Sequence, residues 1–505
     1  LPQVVVVGAG SAGAVVAARL SEDPATDVLL LEAGPDYPTA DEMPAEIRSA
    51  WRFSAEHDWG YHDFAPVAQA AAGPGFGSAA GEALPVPAGR VVGGSSAVNG
   101  TNALRPHPSD FDHWVGLGND QWSWEAVLPY FRRAEDDPPG GAWHGEGGPV
   151  PIRRFAGEQL RPVMRAFVDV CTRAGHRLLD DLNAPGAVGV GSLPLNQLDG
   201  VRQSSAVAYL GPARGRANFE LRADAAVDRV LVVDGRAVAV VLAGTAERIE
   251  ADMVVLCAGA IGSPAILQRS GIGPAASLDA AGVRQIHRLD GVGRNLREHP
   301  MSYPTWAADP GVAGPDVPPL QVLLACGASG VPGGAQVDLN IVPLAVRPGE
   351  ISVAVPLVRP YSVGSVAVAS ADPEAGPRIC LNLYGHIDDL RRSVSGIRIA
   401  RSLVAIPALG GHFGDELWPG ADVATDGELA RALRAAPAAG AHMSGTCSMG
   451  PCGAHWAVVD QGGAVHGIDG LHVVDASIMP MVPSAPPNMT VIMVAERCSE
   501  LLSAR

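Results

Sequence analysis

The chain has 505 residues, of which 47% are hydrophobic and 18% charged, and its formal net charge is −17. That length exceeds one core, the apolar content excludes a disordered chain, and the negative field disfavours nucleic acid and anionic membrane surfaces as partners. All 36 basic residues are arginines, which excludes a lysine Schiff base and a P-loop lysine.

Val4 to Val7 is a short apolar, β-branched run and predicts a buried parallel strand. A helix over Ala14–Leu20 and a second strand over Val28–Leu31 complete a βαβ unit. Between them stands Gly8-Ala9-Gly10-Ser11-Ala12-Gly13. These glycines permit a tight turn, and the helix N-terminus offers free N–H groups to a pyrophosphate. Glu32 ends the second strand, where a carboxylate accepts hydrogen bonds from ribose hydroxyls and repels a 2′-phosphate. The turn alone does not separate one dinucleotide from another.

Further along, Ala70–Ala88 reads as loop and Trp122–Phe131 as helix. Phe219–Val241 reads as a hairpin about Asp234-Gly235, and Met253–Leu256 as another apolar strand. The pattern then changes. Val337–Val342, Ile351–Val358 and Ser365–Ala369 alternate as antiparallel strands do. Asp388–Val404 is predicted helical, and Leu471–Val474 with Met489–Leu502 returns to strand and helix. No apolar run reaches membrane-spanning length, and the chain opens straight into a strand without a visible signal peptide. Seven scattered cysteines without a CxxC predict neither a disulfide framework nor a zinc site, and a cytoplasmic location is expected.

Two long segments carry a family resemblance. Gly89-Arg90-Val91-Val92-Gly93-Gly94-Ser95-Ser96-Ala97-Val98-Asn99 resembles the first signature of the glucose–methanol–choline (GMC) oxidoreductases. Gly259-Ala260-Ile261-Gly262-Ser263-Pro264, continuing to Gly273, is similar to the second. Shorter matches, such as His144-Gly145-Glu146-Gly147-Gly148-Pro149 and Gly291-Val292-Gly293-Arg294-Asn295-Leu296, fill the intervals. The resemblance implies an α/β (α+β overall) fold. A Rossmann-like FAD-binding domain would comprise residues 1–155, 195–305 and 436–505. A substrate domain on an antiparallel sheet would comprise residues 156–194 and 306–435.

FAD would meet Gly8, Gly10, Ser11, Ala12, Gly13, Glu32, Arg90, Gly93, Gly94, Ser95, Asn99, Gly100, Thr101, Asn102, Val227, Asp475, Ala476, Asn488, Met489 and Thr490. The glycines let backbone approach a flat ring, while Ser95, Ser96 and Asn99 offer short polar groups. Where some members carry a flavin-linking His, this chain has Val98, which implies non-covalent FAD. For Asp475, a structural turn cap and a cofactor contact are equally weighted readings.

His442, in Ala441-His442-Met443-Ser444-Gly445-Thr446, and Asn488, in Pro486-Pro487-Asn488-Met489-Thr490, match the family's active-site motifs. Alcohol oxidation needs a base for a weakly acidic hydroxyl, and imidazole titrates in the useful range. His442 is therefore assigned as base and Asn488 as the amide that orients the substrate oxygen. The implied partners are a small-molecule alcohol and either O₂ or another electron acceptor. Among members, the His/Asn pair resembles furfuryl- and aryl-alcohol oxidases, while Gly189–Asn196 is similar to mycofactocin-associated dehydrogenases. A non-redox lyase of the hydroxynitrile lyase type, which keeps FAD as a structural part, is the alternative. No metal is expected, although His466 and His472 lie near Asp460 in sequence. Ser362-Val363-Gly364 departs from the family's Ser-Arg-Gly turn. Trp51, Phe53, Trp59 and Tyr61 are expected either at the entrance or in the core.

Overall fold

The computed structural model describes residues 4–39, 41–52, 56–64, 83–138, 140–314, 316–330 and 336–504. Phe53 and most of the expected 70–88 loop lie outside the described residues. No described helix is long and apolar enough to cross a membrane.

Five short strands form a wholly parallel sheet, in the spatial order Phe219–Arg222, Val28–Leu31, Val4–Val7, Met253–Leu256, Leu471–Val473. Val4–Val7 and Met253–Leu256 are almost wholly buried, as strands covered on both faces must be. Helices Gly13–Leu20 and Asn488–Ser503 pack on this sheet in one continuous core.

A second sheet of nine strands is antiparallel except at its Leu178–Leu179 edge. Its centre runs Val322–Cys326, Leu339–Leu344, Glu350–Pro356, with Pro300–Ser302 beside the last of these and Ala438–Ala439 beyond it. One face packs on helices Pro162–Arg173 and Ile387–Val404. The chain therefore passes from the parallel sheet into the antiparallel one and back again.

The expected hairpin is corrected. Val227–Val233 and Arg236–Leu242 do pair around Asp234-Gly235, with Arg248–Glu250 as a third strand. Phe219–Arg222, however, leaves that hairpin and adds to Val28–Leu31 as the edge of the parallel sheet. Asp224, at a left-handed φ of 51°, turns the chain between them.

Candidate active site

The glycine turn is built by contact as well as by conformation. Gly8 has φ +97°, and a Cβ there would sit 2.7 Å from the Cys257 carbonyl oxygen. Gly94, at φ +51°, lies so close to the turn that a Cβ would meet the Gly10 Cα at 2.6 Å. The Gly93 N–H donates to the Ala9 carbonyl at 2.8 Å, and the Val92 N–H to that of Pro35 at 3.0 Å. The first signature thus docks on the nucleotide turn, and Gly94–Ala97 forms a single 3₁₀ turn there.

Glu32 is buried and accepts from the backbone N–H groups of Ala9 at 2.8 Å and Gly34 at 2.9 Å. Burial pushes its carboxyl up to about 7 against the pull of these donors. A carboxylate with its two oxygens can accept further, from a sugar hydroxyl.

The remaining expected cofactor residues lie on several elements. Ser11, Ala12 and Gly13 open the first helix, and Met489 and Thr490 open the last. Ser95 Oγ accepts from the Gly89 N–H at 3.1 Å, and Asn99 Oδ1 from the Thr101 N–H at 2.9 Å. Gly100 lies between the latter two, and Thr101 itself has a left-handed φ of 57°. Asn102 bridges to Leu195. Arg90 reaches the Ala33 carbonyl and lies over the Trp59 ring, which stacks on Tyr61. Val227 begins the hairpin at the edge of the main core, and Trp51 packs on a second apolar cluster.

Asp475 accepts from Gly259 N at 2.8 Å, Ser263 Oγ at 2.5 Å and Ser477 N at 2.8 Å. It caps both the Ala476–Ile478 3₁₀ turn and the helix carrying the second signature. The carboxylate is engaged as a structural cap, with Ala476 beginning the turn.

The expected pairing of His442 with Asn488 is corrected. Asn488 Oδ1 accepts from Ser11 Oγ at 2.8 Å, which joins the N-termini of the first and last helices. The ring facing His442 is that of His299, with Nδ1 to Nδ1 at 2.9 Å and the ring planes at 80°. Asn488 opens a helix that packs on the first helix, Gly13–Leu20, and this brings its amide to Ser11.

Glu298 organises the imidazole pair. Its buried carboxyl accepts from His442 N at 3.0 and 2.9 Å and from His299 N at 2.6 Å. Burial raises it to about 8. Burial also lowers His442 to about 4, and holds His299 well below the usual imidazole range with help from the facing His442. Both rings are therefore neutral at neutral pH.

Glu298, His299 and Arg202 were not singled out by the sequence reading. The first two follow the Gly291–Leu296 match directly. Arg202 is 1% exposed and donates to the carbonyls of Glu46, Ile47, Arg52, Ala97 and Asn99, locking the signature to the 46–52 segment. Burial lowers its guanidinium to about 10 without discharging it near neutral pH.

His466, His472 and Asp460 form no three-ligand cluster among the described residues: His466 Nε2 meets the Gly450 carbonyl, and Asp460 accepts from Gly462 and Ala464. The metal-like cluster among the described residues is Glu135, Asp137 and His144. Arg105 pairs with Glu135, Arg154 pairs with Asp137 and Asp181, and His144 reaches all three carboxylates. Its hydrogen bonds to Asp137, Asp181 and Glu135, which accept, raise His144 to about 10. Three carboxylates face three cations, so no net negative charge remains to draw in a metal.

The donor set fits an absent dinucleotide. Asn488 Nδ2, Thr490 Oγ1, Thr101 Oγ1 and Asn102 Oδ1 are sealed from water without a hydrogen-bond partner among the described residues. Buried polar groups of this kind call for a ligand. A dinucleotide-type turn and a neutral imidazole pair in one chain are the features of a nucleotide-cofactor oxidoreductase.

Comparison with known proteins makes the class specific. Residues 3–301 and 360–495 match the N- and C-terminal domains described as GMC oxidoreductase, and the chain belongs to this family. It is 36% identical over 505 residues to a GMC-type oxidoreductase of Rhodococcus erythropolis, covering 98% of this chain and 97% of that protein. It is 34% identical over 556 residues to an oxygen-dependent choline dehydrogenase of Vibrio vulnificus, covering 99% and 93% respectively. Among solved structures it resembles pyridoxine 4-oxidase from Mesorbium loti, with TM-score 0.90, 31% identity and full coverage of both chains. The protein is an FAD-dependent oxidoreductase acting on CH–OH donors.

Proposed function

We propose that the protein oxidises a primary or secondary alcohol to a carbonyl with His442 as the catalytic base. The supporting observation is the hydrogen bond between two neutral imidazoles, His299 wholly buried and His442 half-buried. A neutral imidazole has one N–H and one lone pair, so one ring donates and the other accepts. We assign the acceptor role to His299, whose other ring nitrogen, Nε2, is buried without a hydrogen-bond partner among the described residues. His299 Nδ1 then accepts from His442 Nδ1–H, which leaves the His442 Nε2 lone pair for an alcohol proton. Glu298 fixes the backbone of both rings, and His299 orients the base.

FAD, when bound, accepts the hydride from the carbinol carbon. Gly8, Gly10, Gly13, Gly93 and Gly94 would hold its phosphates and ring by backbone, Glu32 its ribose, and Ser11, Asn488 and Thr490 its polar chain. Val98 supplies no nucleophile, so the cofactor is held without a covalent bond. In this reading residues 1–155, 195–305 and 436–505 serve the cofactor, and residues 156–194 and 306–435 serve the substrate. The electrons leave to O₂ or to another acceptor.

The test is anaerobic mixing of the holoenzyme with a panel of alcohols. Reduction bleaches the yellow flavin. The His442→Ala variant is expected to keep its FAD and lose about 10²–10⁴-fold in reduction rate. Unchanged rates in that variant overturn the assignment. A flavin that no alcohol bleaches turns the reading to a lyase.

A further inference from the structure

The second face of the antiparallel sheet, away from its helices, carries Leu323, Ala325, Val342, Ala354 and Met301 in one apolar cluster with Ala438 and Ala485. The register draws a row across this face. Ala325 lies opposite Asn340, and Met301 lies opposite both Pro356 and Ala438. The pairing of Val342 with Ala354 and the bridge of Leu339 to Leu357 set Asn340 beside Pro356. Residues opposite one another in a ladder share a face, so the Asn340 side chain stands with Ala325, Met301 and Ala438. His299 precedes Met301 by two residues and shares its parity. Two strand spacings, about 10 Å, separate the strand of Asn340 from that of Met301.

Asn340 is 2% exposed, and its side-chain oxygen makes no hydrogen bond with any described residue. A leucine of similar volume would suit this apolar wall better, because a buried, unpaired amide is destabilising. The neighbouring carboxylates are already engaged. Glu298 is filled by backbone N–H groups, Asp110 pairs with Arg359 and Ser484, and Asp338 pairs with Arg392. A cationic substrate group would meet no free counter-charge from them.

We infer that Asn340 is a specificity residue, binding a polar group at the far end of a neutral, otherwise apolar alcohol whose carbinol lies at His442. The inference rests on the alcohol-oxidising reading above.

The experiment compares the holoenzyme with Asn340→Leu, using benzyl alcohol, para-hydroxybenzyl alcohol and choline as substrates. Calorimetry of the non-oxidisable pair toluene and para-cresol runs alongside. The wild type is expected to favour the hydroxylated alcohol by about 10-fold or more in kcat/KM, mostly through KM, and to react poorly with choline. In the leucine variant the two aryl alcohols should converge to within about 3-fold, para-cresol should lose its advantage over toluene, and the melting temperature should hold or rise. An unchanged preference, a clearly lower melting temperature in the variant, or choline as the best wild-type substrate overturns the inference. If no alcohol reduces the flavin, the oxidation reading fails by itself. The cresol measurement then still decides whether Asn340 recognises a polar group.

Discussion

At the scale of single residues, burial sets the protonation of the site. His442 titrates near 4 when folded, against about 6.5 for a free imidazole. The base is competent only when unprotonated, so the acid limb of the anaerobic reduction rate should fall well below pH 6.5. A limb at the ordinary imidazole value would contradict the burial argument. The same depression has a stability sign. The folded state binds this proton less readily than the unfolded chain, so the stability tied to His442 is present above about 6.5 and lost as pH falls towards 4. Asn488 makes a separable case. Its bond to Ser11 predicts that Asn488→Ala loses FAD about 10-fold more readily, while the fraction retaining FAD is reduced within about 3-fold of the wild-type rate. Flavin content after gel filtration, read beside stopped-flow rates, checks both halves. The sequence showed the residue types but not their partners. His299 and His442 are 143 positions apart, and Ser11 and Asn488 are 477 apart. No local pattern carries such distances.

At the scale of elements, the short apolar strands were legible to the residue. Val4–Val7, Val28–Leu31 and Met253–Leu256 are where β-branched or leucine-rich runs end in glycine or a small turn. The last helix was read one residue short at each end, because Asn488 and Ser503 carry no apolar signal. Phe219–Arg222 was misread because alternation reports a strand but not its neighbour, and only the register with Val28–Leu31 assigns it. The meeting of Gly10 and Gly94 was equally invisible, yet it makes a sharp prediction. In Gly94→Ala the new methyl meets backbone at 2.6 Å in a left-handed conformation. No flexible side chain is there to yield, so the purified variant should emerge largely colourless. A fully yellow variant would show that the two loops separate freely.

At the scale of the whole molecule, the Glu135–Asp137–His144 cage links the end of helix Trp124–Ala134 to the loop around Asp181. Its histidine titrates near 10 when folded, above the unfolded value of about 6.5. The stability it contributes is therefore complete below about 6.5 and lost as pH rises towards 10. Replacing His144 with Leu leaves buried carboxylates short of a cation and should cost about 3–5 kcal/mol. Thermal melts from pH 7 to 10 should fall more steeply for the wild type than for the variant. The sequence placed His144 in a family match without showing that it was buried among acids.

The order of the parallel sheet has a consequence for synthesis. Its strands lie far apart in sequence, and Leu471–Val473 closes against Met253–Leu256 only after the long segment between them has left the ribosome. The helix bearing Asn488 follows later still. A nascent chain arrested before residue 471 should therefore hold an open sheet edge and fail to capture the flavin, however completely its first 300 residues have emerged. Commitment to cofactor and completion of the fold would then be one late event, and a chaperone guarding that edge would govern how much yellow enzyme a cell obtains.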